Sequence, residues 1–245
     1  MIPGAFTYHR PDSVDAAVGL LAEWGDDARV IAGGHSLIPV MKQRITDISH
    51  LVDLAGVESM KGISVDGGTV TIGAMTTQHE LISSDALAAA APIVREASLQ
   101  IADPQVRYIG TIGGNVAENS GGPHTLKYGV TVNHVLGLEM VLPDGEVVEL
   151  GGKTFPIAGP DMLALVIGSE GTFGIVTKIT CRLTPNPEKA ITLLGVFDSV
   201  HKACEGVSAI VRRGIIPAAM EMIDKVTIYA VEQALKPGFP TDAEA

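Results

Sequence analysis

The sequence contains few cysteines, few aromatic residues and no cluster of basic residues. Only 2 of its 245 residues are cysteine and 4% are aromatic, so a framework of disulfide bonds is not expected. The net charge is −11, which argues against a nucleic-acid-binding surface and against binding to an anionic membrane. These absences leave a globular chain with a substantial apolar core.

Long hydrophobic runs are also absent. The apolar stretch ALAAAAPIV at residues 86–94 is too short to span a bilayer. The first fifteen residues contain no basic start followed by an apolar run, so a secretory signal is not expected. Together these features predict a cytoplasmic protein without membrane insertion.

Glycine, in contrast, is abundant. The chain has 28 glycines, well above the usual share of about 7%, and many of them lie in three segments at residues 30–39, 110–123 and 166–180. Because glycine has no Cβ, several backbone N–H groups can converge on one anionic group. The three segments predict either tight turns between strands or a shared phosphate or pyrophosphate ligand.

Common nucleotide and hydrolase motifs do not match these segments. No G-x-G-x-x-G follows a strand and opens a helix, which argues against a Rossmann site. The LGGKT sequence at 150–154 has Val147 where a phosphate-binding loop needs its first glycine, and Ser169 lies outside a G-x-S-x-G pattern. His124 and His134 have no cysteine or carboxylate at ligand spacing, so no metal site is predicted.

The order of elements predicts a mixed α/β protein. Residues 13–24 have helical spacing with Ser13 as N-cap, and residues 1–100 alternate strands with helices. Pro143-Asp144-Gly145 separates two strand-like runs and predicts a hairpin. Further strands are predicted over 174–185 and 191–199, followed by two helices.

Two families are recognisable in these residues. AGGHSLIPVMKQRI at 32–45 and IADPQVRYIGTIGGNVA at 101–117 resemble the flavin-binding medium subunit of carbon monoxide dehydrogenases over residues 1–117. From about residue 110 to 245 the chain resembles the flavoprotein subunit of bacterial glycolate oxidase and D-lactate dehydrogenase, as in IGSEGTFGIVTKITCRLTPNPE at 167–188. Because the two patterns meet within residues 111–115, we hypothesise that the chain is a recombinant or engineered chimera.

The resemblance implies an FAD-binding fold of the p-cresol methylhydroxylase type. Its expected parts are FAD-binding subdomains at 1–55 and 56–188 and an incomplete α+β cap at 189–245. It implies noncovalent FAD, oxidation of a 2-hydroxy acid such as glycolate or D-lactate, and, as the alternative, an electron-transferring flavin module beside a partner subunit. No residue can be assigned as catalytic base, and the oligomeric state stays open.

The resemblance also implies which residues contact FAD. The first loop would wrap the pyrophosphate through backbone N–H groups, the T-I-G-G-N segment would form a second wall, and the third glycine segment would line the site from the second subdomain. The implied cofactor-binding residues are Ala32, Gly33, Gly34, His35, Ser36, Leu37, Ala102, Thr111, Ile112, Gly113, Gly114, Asn115, Glu170, Gly174 and Ile175.

Overall fold

The chain is divided into two compact units. The structure is a computed structural model that describes residues 2–66, 69–99, 101–152, 159–185 and 187–245. Unit 1 consists of Met1–Ser120 with Thr131–Pro185, and unit 2 consists of Gly121–Val130 with Asn186–Ala245. The expected subdomains at 1–55 and 56–188 and the expected cap at 189–245 stay predictions.

The strands form three small sheets. In the described residues the strands are β1 (Thr7–His9), β2 (Ala28–Ile31), β3 (His50–Asp53), β4 (Ile63–Asp66), β5 (Thr69–Ile72), β6 (Val135–Val141), β7 (Val147–Gly151) and β8 (Ile175–Cys181). Their order is β1-β3-β2, β4-β5 and β7-β6-β8.

The helices are mostly short. Those of the described residues are α1 (Val14–Trp24), α2 (Leu37–Gln43), α3 (Gln78–Ser83), α4 (Asp85–Ala90), α5 (Pro92–Ser98), α6 (Pro104–Arg107), α7 (Ile112–Ala117), α8 (Thr125–Tyr128), α9 (Met162–Val166), α10 (Val200–Arg212) and α11 (Lys225–Leu235). None of these combines the length and apolar character that crossing a membrane requires.

The first sheet is parallel and is covered by α1. Strand β3 lies between β1 and β2 and is parallel to both. The predicted helix at 13–24 is confirmed: Ser13 Oγ accepts the Ala16 N–H at 3.2 Å, and Ala17 is fully buried in one cluster with Val52. Parallel strands carry their ligand-binding loops at their carboxyl ends, which is where β2 leads into residues 32–36.

The sheet formed by β6, β7 and β8 is antiparallel. Strand β6 pairs with β7 on one side and with β8 on the other. The predicted hairpin is confirmed at its turn, where Gly145 has φ +89° and the Leu142 N–H donates to Glu146 O at 2.8 Å. Asp144 Oδ1 accepts the Glu146 N–H, which further stabilises the turn.

Two buried clusters join the parts of the chain that resemble different families. Ile175 from β8 lies in one cluster with Ala17 and Val52 from the first hundred residues. Conversely, Val116 of α7 lies in one cluster with Leu138 of β6. Burial of the valine, leucine and isoleucine side chains contributes roughly 1.5–3 kcal/mol each, so the two parts share hydrophobic cores within unit 1.

Unit 2 is built on α10 and α11. Ser199 caps α10, and the Phe197 ring lies so close to this helix that a Cβ at Gly206 would be 3.1 Å from it. The predicted strand at 191–199 is wrong, because no strand forms over these described residues. In that stretch Phe197 alone exchanges backbone hydrogen bonds with Ala245, and a strand needs a longer partner to form a ladder.

Candidate functional site

The first candidate segment is the turn between β2 and α2. Gly34 has a φ of +77°, and Ser36 precedes α2 without a side-chain cap. The backbone N–H groups of Gly33, Gly34, His35 and Ser36 donate no hydrogen bond to any described residue. Four successive donors without an acceptor in the described part of the chain, in a turn with a left-handed glycine, are the elements of an anion-binding concavity. Hereafter residues 33–36 are called the donor loop.

The remaining residues of this segment hold the donor loop in place. Ala32 packs against the cluster around Val52, and Leu37 packs against the cluster around Met41. The His35 side chain is exposed. Ala32 and Leu37 therefore fix the two ends of the donor loop by apolar packing. Its hydrogen-bond donors are backbone groups and not side chains.

Gly33 brings the donor loop into direct contact with residues 109–110. A Cβ on Gly33 would lie 2.3 Å from the Ile109 carbonyl oxygen and 3.5 Å from Gly110 Cα. Real Cβ atoms do not approach a backbone oxygen so closely, so only glycine fits here. The structure thus brings the first predicted segment against the beginning of the second.

The second segment is the first turn of a helix and not an open loop. Thr111 is the N-cap of α7, and its Oγ1 accepts the Gly114 N–H at 3.1 Å. The Ile112 N–H donates to Thr76 O at 3.1 Å, and the Gly113 N–H donates to Ala74 O at 2.8 Å. These three backbone donors are therefore used within the protein.

The glycines of α7 permit close packing. A Cβ on Gly113 would lie 3.0 Å from the Ala74 carbonyl oxygen. Thr111 is almost fully buried, whereas Asn115 is half-buried and its side-chain amide bonds to none of the residues that the structure describes. Of this segment, Asn115 keeps the polar side-chain atoms that a ligand could use.

The third segment meets the carboxyl end of α7. The Glu170 N–H donates to Ala117 O at 2.9 Å, and Glu170 itself has a φ of +55° and an exposed side chain. Gly174 and Ile175 serve packing: a Cβ on Gly174 would lie 2.4 Å from Val141 O, and Ile175 is buried. Only Glu170 of these three presents a polar side chain.

Ala102 lies in the turn between α5 and α6. Its φ of +50° is unusual for a residue with a Cβ. Its carbonyl oxygen accepts a hydrogen bond from Arg107 Nη2 at 2.9 Å. Sequence reasoning did not single out Arg107, although it stands inside the IADPQVRYIGTIGGN segment that carried the resemblance.

The carboxylate at the same edge of the parallel sheet already has partners. Asp53 ends β3 beside Ile31, and its two oxygens accept from the Tyr8 hydroxyl and the Ala55 N–H. The hydrogen bond to Asp53 raises the pKa of Tyr8 above its usual value. This aspartate is thus held by its neighbours, and no catalytic base can be assigned at this edge.

Family models match two parts of this chain. Residues 4–123 match the family described as "FAD binding domain in molybdopterin dehydrogenase", and residues 186–245 match "FAD linked oxidases, C-terminal domain". The chain contains an FAD-binding domain. FAD is therefore its cofactor, and the mixed helix and strand architecture agrees with the expected p-cresol methylhydroxylase-type fold.

Relatives of the FAD-binding domain come from two groups of flavoproteins. The carbon monoxide dehydrogenase medium chain of Afipia carboxidovorans is 61% identical over 122 residues, covering 50% of this chain and 42% of that protein. The glycolate oxidase subunit GlcD of Escherichia coli is 48% identical over 143 residues, covering 58% of this chain and 29% of that protein. The chain spans less than half the length of either curated relative.

A solved structure supports the same assignment. The Cu,Mo-CO dehydrogenase in its cyanide-inactivated form matches with a TM-score of 0.54 and 44% identity, over 76% of this chain and 62% of the matched chain. The relatedness to both groups, which the residues alone indicated, is confirmed.

The residues of the FAD-binding domain fit an anionic dinucleotide. FAD carries a pyrophosphate, and the donor loop supplies four backbone N–H groups that no described residue accepts. The same loop contacts residues 109–110 through Gly33. These two observations agree with the cofactor that the comparisons assign, while the contribution of each predicted contact residue stays a prediction.

Proposed function

We propose that this chain is an FAD-dependent oxidoreductase module of the type that oxidises 2-hydroxy acids such as glycolate or D-lactate. The observation that carries the proposal is the donor loop, whose four N–H groups have no acceptor among the described residues. Identity of 48% with the glycolate oxidase subunit GlcD supports the substrate class.

Within this proposal the chain's own residues bind and orient the cofactor. The N–H groups of the donor loop donate hydrogen bonds to the pyrophosphate oxygens, and the Asn115 amide supplies a polar contact from α7. Bound FAD supplies the acceptor for the two electrons removed from the substrate.

A second function is supported by the first half of the chain. Identity of 61% with the carbon monoxide dehydrogenase medium chain favours a flavin module that passes electrons to or from a partner subunit without a substrate of its own. In this case the same FAD contacts apply, and the partner is another subunit of a complex.

We also infer that FAD is held without a covalent bond. The donor loop uses backbone groups, and the exposed His35 side chain is not needed to retain the pyrophosphate. Acid precipitation tests this inference: flavin should remain in the supernatant, and flavin in the pellet would contradict it.

Anaerobic titration separates the two functions. The purified chain is reconstituted with FAD, its flavin absorption is recorded, and glycolate, D-lactate or an acetate control is added without oxygen. Bleaching by a hydroxy acid but not by acetate supports the oxidase function. Flavin that binds but is not bleached contradicts the first proposal and favours the electron-transfer module, and absence of flavin binding contradicts both.

A further inference from the structure

Arg107 makes three hydrogen bonds to a single turn of the backbone. Its Nε donates to Ile101 O at 2.7 Å, and its Nη2 donates to Leu99 O and to Ala102 O, both at 2.9 Å. All three acceptors lie in the turn that leads from α5 to α6. A planar guanidinium can satisfy several carbonyl groups at fixed angles, which the single ammonium of a lysine cannot.

The turn that Arg107 holds contains a strained residue. Ala102 has a φ of +50°, and the left-handed conformation of a residue with a Cβ costs about 1–2 kcal/mol. Such a conformation persists only where the surroundings determine it. The bonds from Arg107 to Ala102 and to its neighbour Ile101 provide that determination.

Helix α6 connects this turn to the donor loop. Arg107 is the last residue of α6, and the Ile109 and Gly110 N–H groups both donate to Val106 O. Ile109 is the residue whose carbonyl lies against Gly33 of the donor loop. One short helix therefore fixes the Ala102 turn at one end and the support of the donor loop at the other.

We propose that Arg107 is a positioning residue of the cofactor site, which holds the Ala102 turn and, through α6, the residues 109–110 that support the donor loop. This inference rests on the proposed placement of FAD beside the donor loop. Arg107 acts through the backbone carbonyls of Leu99, Ile101 and Ala102, so it need not touch the cofactor.

FAD affinity of single and double variants tests this role. The purified chain is stripped of flavin and titrated with FAD, and the thermal unfolding of each flavin-free variant is recorded separately. Arg107→Ala is expected to raise the Kd for FAD about tenfold, because the turn then samples other conformations. Arg107→Lys is expected to raise it similarly, since the charge remains but the planar donor set does not.

A second substitution separates positioning from general destabilisation. Glycine adopts a positive φ without cost, so Ala102→Gly combined with Arg107→Ala should recover most of the affinity that Arg107→Ala alone loses. The control is Arg95→Ala, which removes a bond from Arg95 Nε to Ile82 O of 2.7 Å within the same group of helices. This control should lower thermal stability and leave FAD affinity unchanged.

The outcomes decide the proposal in every case. Unchanged affinity in Arg107→Ala, no recovery by Ala102→Gly, or an equal loss in Arg95→Ala would overturn it. If Arg107→Ala does not fold, Arg107→Lys decides, and wild-type affinity in that variant counts against the positioning role. A wild-type chain that does not bind FAD would instead overturn the placement of the cofactor, and this inference with it.

Discussion

The donor loop at residues 33–36 and the T-I-G-G-N segment at residues 111–115 both combine glycine with small polar residues. In the donor loop, the four backbone N–H groups have no acceptor among the described residues. In the second segment, the N–H groups of Ile112, Gly113 and Gly114 donate to Thr76, Ala74 and Thr111. Similar composition therefore leaves backbone donors without a described acceptor in one place and engages them in helix packing in the other.

The difference shows that a count of glycines does not identify an anion site. Gly33 and Gly113 both permit close approach to another backbone segment. The two regions differ in whether their backbone N–H groups find an acceptor within the described protein. Substitutions in the two segments should consequently affect FAD binding and folding to different extents.

The largest effect is expected from Gly33→Val. A side chain here would place Cβ 2.3 Å from the Ile109 carbonyl oxygen, so the donor loop and residues 109–110 must separate. We expect loss of detectable FAD binding and a decrease in the free energy of unfolding of about 3 kcal/mol, measured by FAD titration and denaturant unfolding.

The matched control for this variant is Gly19→Ala. Gly19 lies within α1, and a Cβ there would meet nothing within 4 Å. It should retain FAD binding and gain about 0.5–1 kcal/mol of stability. Normal FAD binding by Gly33→Val would show that the donor loop has been assigned wrongly.

A smaller effect is expected from Gly113→Ala. The added Cβ would lie 3.0 Å from Ala74 O, so α7 must shift on residues 74–77 at a cost of about 1–3 kcal/mol. Because the Gly113 N–H already has an acceptor within the protein, the melting temperature should fall while FAD affinity decreases less than in Gly33→Val. If affinity is lost with the fold intact, the two segments would have the same role.

Thr111→Val should lower stability with little effect on FAD affinity. It removes the hydroxyl that accepts the Gly114 N–H, and loss of an N-cap costs about 1 kcal/mol. Thermal unfolding should detect this loss, whereas Thr111→Ser should retain wild-type stability. A large decrease in FAD affinity without a decrease in stability would contradict the capping role.

The smallest effect is expected from His35→Ala. The side chain is exposed, and the backbone N–H groups of the donor loop remain after its removal. FAD affinity should change by no more than about twofold, and acid precipitation should release flavin from both proteins. A large loss of affinity would show that the loop binds through its imidazole and not through its backbone.

Several elements follow directly from local sequence. Ser13 and the helical spacing after it predict α1, and Pro143-Asp144-Gly145 predicts the hairpin of β6 and β7. In each case one residue supplies a local backbone conformation or a local hydrogen bond. The mixed fold and the FAD cofactor were likewise predictable, because the resemblance extends over long segments of the chain.

Other elements depend on distant partners and were not predictable. The run at 191–199 has the composition of a strand, but in the described structure only Phe197 exchanges backbone bonds, with Ala245. Strand pairing is decided by neighbours as well as by propensity.

The sequence by itself determined where two backbone segments can approach closely, because Gly33 and Gly113 have no Cβ. It also determined the relatedness to two groups of flavoproteins. Only the tertiary structure decided which of the two glycine segments keeps backbone N–H groups that a ligand could use. The acceptors of the Ile112 and Gly113 N–H groups, Thr76 O and Ala74 O, lie far away in the sequence, and only folding brings a donor and a distant acceptor within hydrogen-bonding distance.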